Sequence, residues 1–131
     1  MDVISWNNSY SVGVEKIDSQ HKKIFELINN LYAAQNSPDV SADIGKSLED
    51  MASYVEYHFE TEKSYLDTLP EFKEHEKEHW QFTKKTMQLV KAYKDSPKDK
   101  MIVTIVEFLC GWLNNHILET DVQHFQILSS K

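Results

Sequence analysis

Along most of the chain, apolar residues recur at steps of three and four, the spacing that lines one face of an α-helix. Four such stripes are present. The first runs through Ile17, His21, Ile24, Ile28 and Leu31, widened by Phe25 and Tyr32; the second through Ile44, Leu48, Met51, Val55, His58, Glu62, Tyr65, Leu66 and Leu69. The third holds Phe72, His75, His79, Phe82, Thr86, Leu89 and Tyr93, and the fourth Ile102, Ile105, Leu109, Trp112 and His116. Prolines punctuate them: Pro38 after Asn36-Ser37, Pro70 after Asp67-Thr68-Leu69, and Pro97 after Asp95-Ser96. Proline cannot continue a helix interior, and Asn, Asp and Ser favour turns and caps. The pattern predicts helices over roughly 19–36, 40–67, 71–94 and 98–119. Asp18 or Ser19 would cap the first, and Ser41 is a candidate start for the second. Residues 1–17 alternate only briefly, through Tyr10, Val12 and Val14, and predict an extended N-terminal arm docked by Trp6. Short links between amphipathic helices favour an all-α, up-down-up-down antiparallel four-helix bundle, one domain spanning 1–131.

Composition agrees with this architecture. A chain of 131 residues buries enough surface to fold without a disulfide, and Cys110 is the only cysteine. Its neighbours Phe108, Leu109 and Trp112 suggest a buried, inert thiol, and a lone cysteine suggests a reducing compartment. The opening MDVISWNNSY has neither a basic start nor an apolar run, and no stretch approaches the ~18 consecutive apolar residues of a membrane span. The expectation is a cytoplasmic protein without membrane insertion. Fourteen basic against twenty-one acidic residues give a net charge of −7, which disfavours nucleic acid and anionic lipid as partners. Most of these charges form a solvated helix face.

The stripes also carry chemistry. Five of the six histidines fall on them, with Glu62. Burying so many imidazoles and a carboxylate without partners would cost several kcal/mol per group, and a metal ion removes that cost by using their lone pairs. His58-x-x-x-Glu62 and His75-x-x-x-His79 are i,i+4 pairs, each projecting from one helical face. His21 and His116 add one donor each from the outer helices. Alternating helix direction brings all of these to one height. Asp121 follows His116 by five residues, so a regular helix would turn it about 140° off the stripe.

The pattern His21, His58-x-x-x-Glu62, His75-x-x-x-His79, His116-x-x-x-x-Asp121 resembles the ligand signature of hemerythrins and bacteriohemerythrins. VGVEKIDSQHKKIFELINNL and WLNNHILETD resemble the family's sequence around its first and last histidines, and the resemblance covers nearly the whole chain. It implies one iron held by His75, His79 and His116 and a second held by His21 and His58. Glu62 and Asp121 would bridge them, together with an oxo or hydroxo group. Asp121 can join only if the backbone breaks, tightens or bulges between Leu118 and Asp121. Two six-coordinate irons would then keep a single open position, on the two-His iron, as the place for dioxygen. Phe59, Trp112, Leu113 and Ile117 would line an apolar oxygen pocket. His124 stands where relatives often carry Tyr, and is expected beside the site or at the surface rather than among the ligands.

The resemblance implies reversible dioxygen binding at a non-haem di-iron centre (Fe2+/Fe3+), not an enzyme activity, for oxygen storage, transport or delivery to an oxygen-consuming enzyme. Alternatives on the same site are oxygen, nitric oxide or redox sensing, and iron or peroxide handling. Sensing normally needs an output domain, and the chain ends soon after its last ligand. A remote alternative is a zinc metalloprotease, since His75-Glu76-x-x-His79 matches H-E-x-x-H. That reading leaves His21, His58, Glu62 and His116 without a role.

Overall fold

The computed structural model describes residues 2–36, 40–98 and 100–131, and is all-helical among them. Helix α1 spans Glu15–Ala33, α2 Val40–Leu66, α3 Phe72–Asp95 and α4 Met101–Asn115. A wider turn, His116–Asp121, follows α4 directly and leads into α5, Val122–Ser129. Helix α1 packs against α2 and α4, and α3 against the same two helices, so the four long helices close into the expected bundle. The turn around Pro70 separates α2 from α3, and the irregular stretch around Pro97 precedes α4. The junction at Pro38 lies outside the described residues.

The starts of α1 and α4 differ most from expectation. Helix α1 begins at Glu15, four residues before the predicted start, so neither Asp18 nor Ser19 is its N-cap. Asp18 instead reaches back from the first turn, accepting hydrogen bonds from the Val12 backbone N–H at 2.9 Å and the Ser11 hydroxyl at 2.6 Å. Gly13, at φ 78°, supplies the left-handed conformation that turns the arm into the helix. Helix α4 begins at Met101, three residues after the predicted 98, while α2 runs from Val40 with the candidate start Ser41 as its second residue.

The arm lies across the bundle as expected, but it is anchored by more than Trp6. Ile4 and Tyr10 are its buried residues, and Tyr10 packs edge-on to Phe25 with centroids 5.1 Å apart. The Tyr10 hydroxyl donates to Asn114 Oδ1 at 2.7 Å, tying the arm to α4. Trp6, half-buried, lies 6.1 Å from Phe25 and under the Lys22 ammonium. A short helical turn, Asn8–Tyr10, interrupts the extended course, capped by the Asn7 side chain.

The largest departure is at the C-terminal end, predicted to leave the helix near residue 119. No Pro or Gly follows Gly111, so nothing stops the helix, and it continues to Ser129. The combined run Met101–Ser129 is long and apolar enough in composition to cross a membrane, contrary to the expectation that no segment approaches that limit. Its apolar face is occupied otherwise: Ile102, Ile105, Leu109, Leu113, Ile117 and Phe125 are all buried within the bundle.

Among the described residues, the buried apolar side chains fall into two clusters. The larger joins Ile24, Ile28, Leu31, Ile44, Leu48, Met51, Phe82, Leu109, Leu113 and Ile117. The smaller joins Ile17, Leu66, Leu69, Phe72 and Phe125. Burying such side chains contributes roughly 1.5–3 kcal/mol each, so both clusters hold the helices in register. Along the helices, the histidine-bearing positions lie between them.

Candidate metal centre

Each of the four long helices delivers its histidines to one level. His21 stands in the second turn of α1, His58 and Glu62 one turn apart in α2, and His75 and His79 one turn apart near the start of α3. His116 opens the wide turn after α4 and Asp121 closes it. In that turn the Val122 N–H bonds to the Ile117 carbonyl, five residues back, so the segment is π-helical. A five-residue hydrogen-bonding step aligns residues that an α-helix would set well apart. This is the bulge that Asp121 required, and it brings His116 Nε2 to 3.0 Å from Asp121 Oδ1.

The seven groups are all buried, and Glu62 and Asp121 are fully so. The two acids divide their oxygens. Glu62 Oε1 lies 3.2 Å from His75 Nε2 and 3.0 Å from His79 Nε2, while Asp121 Oδ1 lies 2.9 Å from His75 Nε2. Glu62 Oε2 lies 3.2 Å from His21 Nε2 and 3.0 Å from His58 Nε2, and Asp121 Oδ2 lies 3.2 Å from His21 Nε2. Two donor groups result: His75, His79 and His116 with both acids, and His21 and His58 with the same two acids.

Hydrogen bonding alone does not account for this cluster. Among the described residues, His21 Nδ1 and both Asp121 oxygens are buried without a well-formed hydrogen bond, although histidine nitrogens stand 2.9–3.2 Å from the Asp121 oxygens. His79 Nε2 stands 3.0 Å from His75 Nε2 and 3.1 Å from His116 Nε2, so ring nitrogens face one another. A 3.0 Å edge is what an ion about 2.1 Å from each nitrogen spans at a right angle. The donors therefore fit metal ions in both halves.

Without an ion, protons must balance the charge. Burial pushes His21 down, but Asp121 and Glu62 outweigh it and raise its pKa to about 9. His116 is likewise lowered by burial and raised by Asp121, Glu78 and Glu62, reaching about 10. Burial, helped by His116 and His75, holds His79 down at about 4 against the pull of Glu62. Burial opposes ionisation of both acids. The histidines still hold Glu62, chiefly through His58, and Asp121, chiefly through His116, well below the usual carboxylate range.

Three side chains anchor the imidazoles from behind, and the apolar stripes do not mark them. Glu78 Oε1 lies 2.8 Å from His116 Nδ1 and accepts from the Thr120 hydroxyl at 3.0 Å. It is partly buried, and His116 lowers its pKa. Gln20 Oε1 lies 2.7 Å from His58 Nδ1. His124 Nδ1 lies 2.8 Å from His75 Nδ1, outside both donor groups and beside the site. A signal for Glu78 existed in its place one residue before His79, on the flank of that stripe.

Two of the four expected pocket residues stack on the imidazoles. Phe59 stacks on His79 with centroids 3.7 Å apart, and Trp112 stacks on His116 at 4.3 Å. Phe59 is also 6.0 Å from His58, so it spans the two halves. Leu113 and Ile117 are buried in the larger apolar cluster, against which Phe59 and Trp112 pack. Phe82, buried and 4.3 Å from Trp112, extends this wall. Glu76, by contrast, is exposed and paired with Lys63 at 3.1 Å. It points away from the histidines, which removes the general base from the metalloprotease reading, and no strand stands among the described residues.

A sequence model of the hemerythrin HHE cation binding domain matches residues 12–128. The chain belongs to the hemerythrin family. A bacteriohemerythrin of Clostridium acetobutylicum is 31% identical over 124 residues, covering 91% of this chain and 96% of that one. A hemerythrin-like protein of Naegleria gruberi is 27% identical over 126 residues, covering 95% and 92%. A crystal structure of wild-type hemerythrin superposes with a TM-score of 0.85 at 26% identity, covering 97% of this chain and 98% of that one. Membership of the hemerythrin family implies a di-iron centre and is consistent with oxygen binding, and the two donor groups are able to hold metal.

Proposed function

We propose that this protein binds dioxygen reversibly at a di-iron centre, for storage, transport or delivery within a reducing, cytoplasmic setting. In this reading His75, His79 and His116 hold one iron, His21 and His58 hold the other, and Glu62 and Asp121 bridge the pair. The observation that carries it is the divided carboxylates: one oxygen of each acid faces the three-His side and the other faces the two-His side. A di-iron centre held by these residues would supply the reversible two-electron chemistry that dioxygen binding needs.

The chain's own residues keep that exchange reversible. Phe59, Trp112, Leu113 and Ile117 line the oxygen side with apolar surface and exclude water. Glu78 and Gln20 hold His116 and His58 by their outer nitrogens, so the inner nitrogens stay aimed at the centre. The two carboxylates offset part of the ion charge. The half-buried Cys110, whose thiol pKa is raised by burial, lacks the thiolate character of a redox-active cysteine.

The test is one sample of reduced, iron-loaded protein carried from argon to oxygen and back. A visible charge-transfer absorption should rise under oxygen and fade under argon over repeated cycles. Oxidation in a single irreversible step would refute carriage and favour sensing or peroxide handling at the same centre.

A further inference from the structure

Gln20 and Thr61 are buried polar residues between α1 and α2, and neither belongs to the seven-residue cluster. Their hydrogen bonds form a chain with only one consistent direction. The Thr61 hydroxyl donates its single hydrogen to the Tyr57 carbonyl, 3.1 Å away and one turn back. Its oxygen is then only an acceptor, and it receives the Gln20 amide N–H at 3.2 Å. That contact fixes which way the Gln20 amide faces. Its carbonyl oxygen Oε1 turns to His58 Nδ1 at 2.7 Å. An amide carbonyl can only accept, so His58 Nδ1 must carry the hydrogen. The other ring nitrogen, Nε2, stands 3.0 Å from Glu62 Oε2 and is the one a metal ion at the centre would take, in place of the proton shared with that oxygen.

We propose that Gln20 is a positioning residue that fixes the tautomer of His58, and that Thr61 acts through it by setting the amide. This inference rests on the reading of His58 as an iron ligand. It also separates the two halves of the centre by charge. His116 is backed by a carboxylate, Glu78, whereas His58 is backed by a neutral amide. An anionic partner makes an imidazole a stronger donor than a neutral one does. His58 is thus a weaker donor than His116, on the side where a ligand must both bind and leave.

The test uses full-length protein carrying Gln20→Ala, Gln20→Glu, Thr61→Val or Thr61→Ser. Three readouts are iron retention against a chelator, reduction potential, and the 15N signals of His58 in the zinc-loaded form. Wild type and Thr61→Ser should hold two irons and show His58 hydrogen-bonded through Nδ1–H. Gln20→Ala should release one of its two irons roughly 10- to 100-fold more readily, the usual effect of losing such a partner. Gln20→Glu should keep both irons and shift the potential downward, a change that simple loss of packing does not produce. Thr61→Val, of nearly equal shape, should fall between Gln20→Ala and wild type and alter the His58 signal. Retention of both irons at wild-type affinity in Gln20→Ala, with His58 signals unchanged, would overturn the inference. Should Gln20→Ala fail to fold, unchanged His58 signals in Thr61→Val with an unchanged potential in Gln20→Glu would overturn it equally. Wild-type protein unable to hold two irons would instead overturn the ligand assignment beneath it, and the inference with it.

Discussion

The Phe59 ring lies flat on the His79 imidazole, 3.7 Å between centroids and 6° from parallel. Because Phe59 directly follows His58, the same residue that braces the three-His side is fixed in sequence to the two-His side. Replacing it with Ala should leave both irons bound, since no donor is lost, while admitting water to the oxygen side. Irreversible oxidation of the oxygen-exposed protein should accelerate about tenfold or more, a barrier loss of roughly 1.4 kcal/mol. The decay of visible absorption under oxygen measures this directly. An unchanged decay rate would remove Phe59 from the pocket.

Glu62 and Asp121 serve both sides at once, so neutralising either should affect both metals. Asp121→Asn keeps the shape but removes a charge and an acceptor. Total iron after chelator challenge should fall below two per chain, with affinity lowered at least about 100-fold, the upper end of what an outer partner costs. Selective loss from one half alone, with the other unaffected, would contradict bridging.

The protonation pattern fixes how pH acts. In metal-free protein His21 and His116 titrate near 9 and 10, above their ordinary value of 6.5. Their stabilising effect is complete below about 6.5 and is lost as pH rises through 9 to 10. His79, depressed to about 4, acts oppositely: it remains neutral when folded and costs stability as pH falls below 6.5. The lowered pKa values of Glu62 and Asp121 add a further loss in acid. Metal-free protein should therefore melt highest near pH 6.5 and less well on either side. Iron replaces the protons on His21 and His116, and any on His75, whose pKa is also raised, so loading at pH 7.5 should release at least about two protons. Calorimetry in two buffers of different ionisation enthalpy counts them.

Phe125 is 2% exposed and joins Ile17, Leu66, Leu69 and Phe72 in the smaller apolar cluster. Phe125→Ala should cost about 3–5 kcal/mol in denaturant unfolding, as for other buried aromatics. It should also speed iron loss, because that cluster covers one end of the centre. A change below 1 kcal/mol would mean that α5 contributes little to the fold.

Much of this site was legible in the sequence because burial and ligation used the same stripes. His21, His58, Glu62, His75, His79 and His116 all sit where an apolar residue would, and only an internal partner explains them there. Asp121 lies off its stripe and was reached through family resemblance; the π turn that delivers it depends on tertiary packing rather than spacing. Gln20 and Glu78 escaped for a related reason, and His124 was placed beside the site without its partner. They approach the outer nitrogens of the imidazoles from beside the stripes, and a polar residue on that flank resembles any solvated one. Helix ends were less legible. Asp18 carries the signature of a cap, but it acts from inside the first turn. The run after Asp121 lacks the breaker that would have ended it, and Phe125 gave the only sign that it turns inward.

The most direct measurement is anomalous scattering at the iron edge from a crystal of iron-loaded protein. Two peaks are expected, one among His75, His79 and His116 and one beside His21 and His58, with Glu62 and Asp121 between them. A single peak, or iron bound away from these seven side chains, would contradict the di-iron account.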